Sequence, residues 1–208
     1  MFRAKRTVRG LCLMGAVVAL FGCGSGSGAG ETGATRDGTP SPQPARILGK
    51  EQVKAVLPDL GDVPPGWEKS GTLRLLGAAP EEGLLALGTQ GYAATDLEGT
   101  VGFGVQSFQT RADAIERYTM KKSQMAGAQL GPAQIPDIDA AFTGSYCIGE
   151  DYCSTSINLR LDSVFAYVNI NTDGPAAADA KILNSVTRIL VQRIRQAQSG
   201  QTPSAKAG

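Results

Sequence analysis

Ile157-Asn158-Leu159-Arg160-Leu161-Asp162-Ser163-Val164-Phe165-Ala166-Tyr167-Val168-Asn169-Ile170 is the stretch that decides the fold. Ile157, Leu159 and Leu161 alternate with Asn158 and Arg160; after Asp162-Ser163, Val164, Ala166, Val168 and Ile170 alternate with Phe165, Tyr167 and Asn169. Alternation with period two marks a half-buried strand, and a two-residue break between two such runs marks a hairpin. That loop length sets Leu161 opposite Val164, Leu159 opposite Ala166 and Ile157 opposite Val168. Both apolar sets then fall on one face. A slip of one residue would turn either set to the other side, so the pattern fixes the register.

Working outward, the spacing on the C-terminal side predicts a helix from near Pro175, a residue suited to the first helical position. Its buried stripe is Leu183, Val186, Leu190, Ile194 and Ala197, broadened by Ile182 and Ile189. Arg188, Arg193 and Arg195 gather in its C-terminal half, where positive charge suits the helix dipole. Residues 199–208 carry little that could be buried and read as a disordered tail.

On the N-terminal side, Val101, Phe103 and Val105 alternate with Gly102, Gly104 and Gln106 in a strand over residues 100–108. These glycines lie inside a strand and open no helix, so they make no dinucleotide fingerprint; they mark close packing or a bulge. A helix follows from Thr110 to about Gly127, with Thr110 and Asp113 as an acidic capping box and Ile115, Tyr118, Lys122 and Met125 on one face. Weaker strands are read at 70–76 and 83–88. An opening helix between Gly49 and Pro58 buries Val53, Val56, Leu57 and Leu60, and Trp67 is read as core. Helix, strands, helix, strands, helix is an α+β order: an antiparallel sheet with packed helices, in a single domain over residues 46–198.

Residues 1–22 do not belong to that domain. Arg3, Lys5, Arg6 and Arg9 precede an apolar run from Leu11 to Gly22, the pattern of a secretory signal, and the run is too short to span a membrane. It ends Leu20-Phe21-Gly22-Cys23, which resembles the bacterial lipobox and implies diacylglycerol on the Cys23 thiol with cleavage before it. Residues 23–45, rich in Gly, Ser, Thr and Pro, form the lipid-attachment site and a flexible linker. The expected location is the extracytoplasmic face of the cell membrane. Removing the four signal-segment cations from 20 basic residues leaves 16 against 19 acids, a net charge of −3. That balance speaks against nucleic acid as a partner and against a polybasic membrane module.

Four cysteines divide cleanly. Cys12 leaves with the signal and Cys23 takes lipid, so Cys147 and Cys153 remain and, in an exported chain, pair as a disulfide. Zinc would want three or four nitrogen or sulfur ligands, and the chain has no histidine. No metal and no cofactor is expected. The same lack removes Ser-His-Asp and Cys-His nucleophiles, which leaves acid–base work to carboxylates or lysine. Glu81, Glu82, Asp137, Asp139, Glu150 and Asp151 show no spacing that forces two onto one site, and they read as solvated loop acids.

Three stretches together resemble a known family. They are the opening helix into Leu57-Pro58 and Val63-Pro64-Pro65-Gly66-Trp67; the strand-to-helix passage Val105-Gln106-Ser107-Phe108 to Ala112-Asp113-Ala114; and Ile135-Pro136-Asp137-Ile138-Asp139-Ala140 before the final hairpin and helix. They look like the secreted domains of actinobacterial cell-envelope lipoproteins, related to the extracellular sensor domains of receptor-type serine/threonine kinases. The resemblance covers roughly residues 47–198 and implies an α/β sandwich, often with a cleft, in a sensing or carrier role. Those sensor domains usually carry two disulfides where this chain has cysteines for one, and no functional residue is carried over.

Two places could bind something. The loop from Tyr146 to Cys153 presents Tyr146, Tyr152, Glu150 and Asp151 on a stapled frame; it is either a recognition surface or an ordinary turn with its tyrosines packed down. The polar face of the hairpin carries Phe165 and Tyr167 beside Arg160 and Asn158. Covered by a helix, these residues are core; left open, they line a ligand cleft. The reading that follows is a non-enzymatic, membrane-anchored binding or sensor-like module for an envelope lipid, a cell-wall fragment or an envelope protein. The alternatives are an assembly factor with no small-molecule site and a hydrolase that works with carboxylates alone.

Overall fold

The computed structural model of the chain describes residues 45–94, 99–174 and 178–207. The signal segment, Cys23, the linker up to residue 44 and Pro175 lie outside the described residues. The elements run α1 (Lys50–Val56), β1 (Trp67–Lys69), β2 (Arg74–Leu76), β3 (Leu84–Ala94), β4 (Gly99–Phe108), α2 (Arg111–Gln124), β5 (Gln129–Pro132), β6 (Ala140–Ile148), β7 (Tyr152–Leu161), β8 (Val164–Asp173) and α3 (Ala180–Gln198). The strands form one antiparallel sheet in the order β1-β3-β4-β8-β7-β6-β5, with β2 also paired to β3. The α+β expectation holds, and Cys147 and Cys153 are joined as a disulfide.

The deciding hairpin has the register its alternation dictates: Leu161 faces Val164, Leu159 faces Ala166 and Ile157 faces Val168. That apolar face meets α1 and α3. Val53 and Val56 from α1, with Leu183, Val186, Leu190 and Ile194 from α3, close over Val101, Val105, Leu159, Ala166, Val168 and Ile170 in the main core. Each fully buried aliphatic side chain there contributes roughly 1.5–3 kcal/mol. Tyr92, wholly buried, bridges Trp67 and Phe103, with ring centroids 6.4 and 5.8 Å away, and its hydroxyl donates to the Pro58 carbonyl. Gly49 and Leu57 bound α1 as the sequence indicates.

Several expectations give way. The helix expected from Pro175 begins at Ala180, where the Asp179 carboxylate accepts from the Lys181 N–H and caps it. Strand β3 runs on to Ala94, beyond the expected end at 88, and Ala140–Ile148, which has no alternating pattern, forms the full strand β6. Arg193, grouped by its sequence position with Arg188 and Arg195 as charge suited to the helix dipole, is buried. Its Nε and Nη2 donate to the carbonyls of Val56 and Ala55, and Nη1 reaches Asp62 at 2.9 Å and the Ala205 carbonyl at 3.0 Å. Burial at that point completes the last turn of α1, whose carbonyls have no helical partner.

Residues 201–207, expected as a disordered tail, run back along α3. The Gln196 carboxamide accepts from Ser204 N–H, and the Ala207 N–H reaches the Asp62 carbonyl. Backbone hydrogen bonds hold this segment, so its sequence shows no apolar pattern. Asp139 is likewise no solvated loop acid. It pairs with the nearly buried Arg160 at 2.7 Å and accepts from the Asp162 N–H at the hairpin turn, where Asp162 has φ of +50°.

Candidate functional site

Helix α2 lies alone on the face of the sheet opposite α1 and α3, over β4, β7 and β8. Its start is fixed by the expected box: the Thr110 hydroxyl accepts from Asp113 N–H while the Asp113 carboxylate accepts from Thr110 N–H. Its inward face keeps Tyr118 and Met125 of the expected set and departs from it at Ile115. Ala114 is buried against Phe108 and Phe165, with Tyr118 beside them, while Ile115 stands 44% exposed. Past this small apolar patch α2 presents Arg117, Lys121 and Met125, and between these side chains and the strands lies a cavity of about 330 Å³.

The cavity's floor follows from strand periodicity. On β8 every second residue, Phe165, Tyr167, Asn169 and Asn171, faces α2, and on β7 the matching set is Tyr152, Ser154, Ser156 and Asn158. Cross-strand rungs set Asn158 beside Tyr167 and Ser156 beside Asn169. Beyond β8, the glycines of β4 leave room. A Cβ on Gly104 would come within 2.2 Å of the Tyr167 ring, and one on Gly102 within 2.5 Å of the Asn169 Oδ1. The strand glycines therefore mark close packing, as expected, and they let Tyr167 lean over β4. Gly144 of β6 does the same for Met125, whose Cε would lie 2.3 Å from an added Cβ.

The polar groups here are arranged to differing degrees. Asn169 Nδ2 donates to Asn171 Oδ1 at 3.1 Å, and Asn171 Nδ2 donates to the Thr100 hydroxyl at 3.3 Å. Asn158 is wholly buried; its Nδ2 donates to the Ser156 hydroxyl at 2.9 Å, and its Oδ1 has no hydrogen-bond partner among the described residues. A buried acceptor left unpaired costs about 1–3 kcal/mol, so a donor brought to that point is favoured. Arg117 is held by Gln106, Nε to Oε1 at 2.8 Å, with its guanidinium 5.7 Å from the centroid of the Phe165 ring. Lys121 forms no ion pair among the described residues. Burial raises the phenol pKa of Tyr167, against the opposing charge of Arg117; burial, with Tyr146 next to it, raises that of Tyr152. Both remain neutral hydroxyls that donate and accept.

Three of the four residues picked from the sequence come together. Tyr167 lies on the floor, Tyr146 and Tyr152 stand at the hairpin end with ring centroids 6.4 Å apart, and all three line the one cavity. Arg160 does not join them, since Asp139 holds it elsewhere on the same strand. The two sequence alternatives for the polar face are both realised: α2 buries Phe165 as core, and beyond it the face is open. Sequence reading missed Gln106, Arg117, Lys121, Asn169 and Asn171. The signal for the two asparagines was present in the Ser154-Ser156-Asn158 and Tyr167-Asn169-Asn171 runs, polar at alternate positions on strands whose other face is apolar.

No protein-family model and no curated protein matches the sequence. The fold is similar to that of the extracellular domain of PknH from Mycobacterium tuberculosis, with a TM-score of 0.52 and 10% sequence identity, over 76% of this chain and 100% of that one. At that identity the likeness is one of fold. The architecture implied by the sequence resemblance is met, and what the cavity binds has to be argued from this chain's own residues.

Proposed function

We propose that this chain is an extracytoplasmic, lipid-anchored binding module whose ligand occupies the cavity between α2 and the sheet. The observation that carries this reading is the convergence of Tyr146, Tyr152 and Tyr167 with the unpartnered Asn158 Oδ1 in one recess. Rigid aromatic rings bind at small entropic cost, and the amides and hydroxyls between them fix orientation. The lining is rich in asparagine, serine and tyrosine, with Arg117 and Lys121 above it. That chemistry suits a small polar ligand with hydroxyl and amide groups and some negative charge. A cell-wall fragment fits this description better than an acyl chain. No carboxylate among the described residues lines the recess, so hydrolysis by paired acids would find no such pair there. The fold shared with a mycobacterial extracellular domain and the signal-like N-terminus support the location.

A second reading has its own observation. At the tip and edge beside the cavity, Ile148 is 66% exposed, Tyr146 43% and Leu130 41%, a rim suited to a protein partner. Native mass spectrometry of the mature chain, released gently from its host's membranes, separates the two. A small co-purifying mass that Tyr167→Ala abolishes supports the cavity; a stoichiometric protein that survives Tyr167→Ala favours the rim. The bare chain alone, from protein held at host ligand levels, counts against both.

A further inference from the structure

Charge is distributed unevenly between the helical layer of α1, α3 and the returning tail and the rest of the domain. Residues 46–57 and 178–207, which form α1, α3 and the returning tail, hold eight basic residues and two acids; residues 58–177 hold seven basic residues and fifteen acids. By segment the helices and tail carry +6 and the remainder −8; with Asp59, Asp62 and Lys69, which adjoin Lys54 and Arg193, counted in the helical layer, the balance is +5 against −7. Seven of the eight cations, Arg46, Lys50, Lys54, Lys181, Arg188, Arg195 and Lys206, are exposed; Arg193 alone is buried. None of the seven has an ion-pair partner among the described residues. On the outer side of α3, Lys181, Arg188 and Lys206 border one polar hollow that no acid among the described residues lines.

The chain also enters the domain in this layer. Arg46 N–H donates to the Gln198 carbonyl at 3.0 Å, so Ala45, the last residue of the tether read from the sequence, lies beside the final turn of α3. A coil of that tether's length spans on the order of 25 Å, a few Debye lengths at physiological salt.

We infer that the helical layer of α1, α3 and the tail is the membrane-facing side of the anchored domain, resting on anionic lipid headgroups and holding the α2 cavity outward. The free mature chain, at net −3, has no reason to seek an anionic surface. A tethered one has only to turn, and its charge asymmetry turns it one way. The inference rests on the lipid-anchor reading for its setting. Its test does not depend on cellular acylation, because the anchor is supplied chemically.

With Cys147 and Cys153 joined, Cys23 is the one free thiol of a chain that begins there, and it can be coupled to a maleimide lipid in vesicles. The vesicles are phosphatidylcholine alone or equal parts phosphatidylcholine and phosphatidylglycerol, and a water-soluble amine reagent reports each lysine by mass spectrometry. On the anionic vesicles Lys50, Lys54, Lys181 and Lys206 react at least about threefold more slowly, while Lys121 and Lys122 on α2 keep their rates; high salt erases the difference. Arg46→Glu with Arg188→Glu removes the protection without moving the thermal midpoint. Equal relative rates on both vesicles, or protection of Lys121 and Lys122 instead, would overturn the inference. Labelled fatty acid on Cys23 in cells reads the anchor separately.

Discussion

At the scale of single residues, two side chains connect packing to measurable behaviour. Tyr92 is wholly buried with its hydroxyl on the Pro58 carbonyl, and burial pushes its pKa up to about 12 from the usual 10. The unfolded chain therefore gives up this proton at a lower pH than the folded one. Stability from this group is intact below pH ~10 and falls by roughly 1.4 kcal/mol per pH unit as the pH rises toward about 12. Tyr92→Phe should cost about 1 kcal/mol at neutral pH and flatten that alkaline decline, as read from denaturant midpoints across the range. Gly104 is the second case. Its absent Cβ makes room for the Tyr167 ring, so Gly104→Ala must displace that ring or the strand. We expect a loss of about 1–3 kcal/mol at an unchanged denaturant slope, together with weaker binding in the cavity. Gly102 and Gly104 were legible as a sign of close packing. That Tyr167 was the neighbour was not, because no local pattern says which strand pairs with β4.

At the scale of elements, what could be read in advance depended on whether one face was apolar and the other polar. The β7–β8 hairpin and the α3 stripe showed that contrast and were legible down to register. Strand β6, Ala-Ala-Phe-Thr-Gly-Ser-Tyr-Cys-Ile, has little contrast, since one of its sides packs on Met125 through Gly144 and its end is exposed. Helix α2 misled for a related reason. It covers a cavity as well as a core, so its inward face takes in Ala114, Arg117 and Lys121 beside the expected Tyr118 and Met125, and Ile115 points out. The disulfide belongs to this scale also. It closes the β6–β7 turn and holds Tyr146 and Tyr152 at the cavity's end. Replacing Cys147 and Cys153 by serine should lower stability by no more than about 2 kcal/mol, the loop being short. Amide exchange should speed up over residues 145–154 while β4 and β8 keep their protection.

At the scale of the molecule, one sheet separates two unlike sides: a basic helical layer with the main core beneath it, and α2 with the polar cavity. The tail ties the first side together through Arg193, Gln196 and Asp62. Ending the chain at Gly200 should cost about 1–2 kcal/mol and a few degrees of thermal midpoint, because Arg193 keeps Asp62 and two α1 carbonyls but loses Ala205. An unchanged midpoint would mean the returning segment contributes nothing. The composition of that segment gave no hint of such a role. The measurement that bears most directly on the whole account is an NMR titration of the mature chain with a soluble digest of its host's cell wall. The side-chain amide signals of Asn158, Asn169 and Asn171 should shift together, and Tyr167→Ala should abolish the shifts. Amide signals that stay fixed while resonances of the hairpin tip or the helical layer move would contradict it.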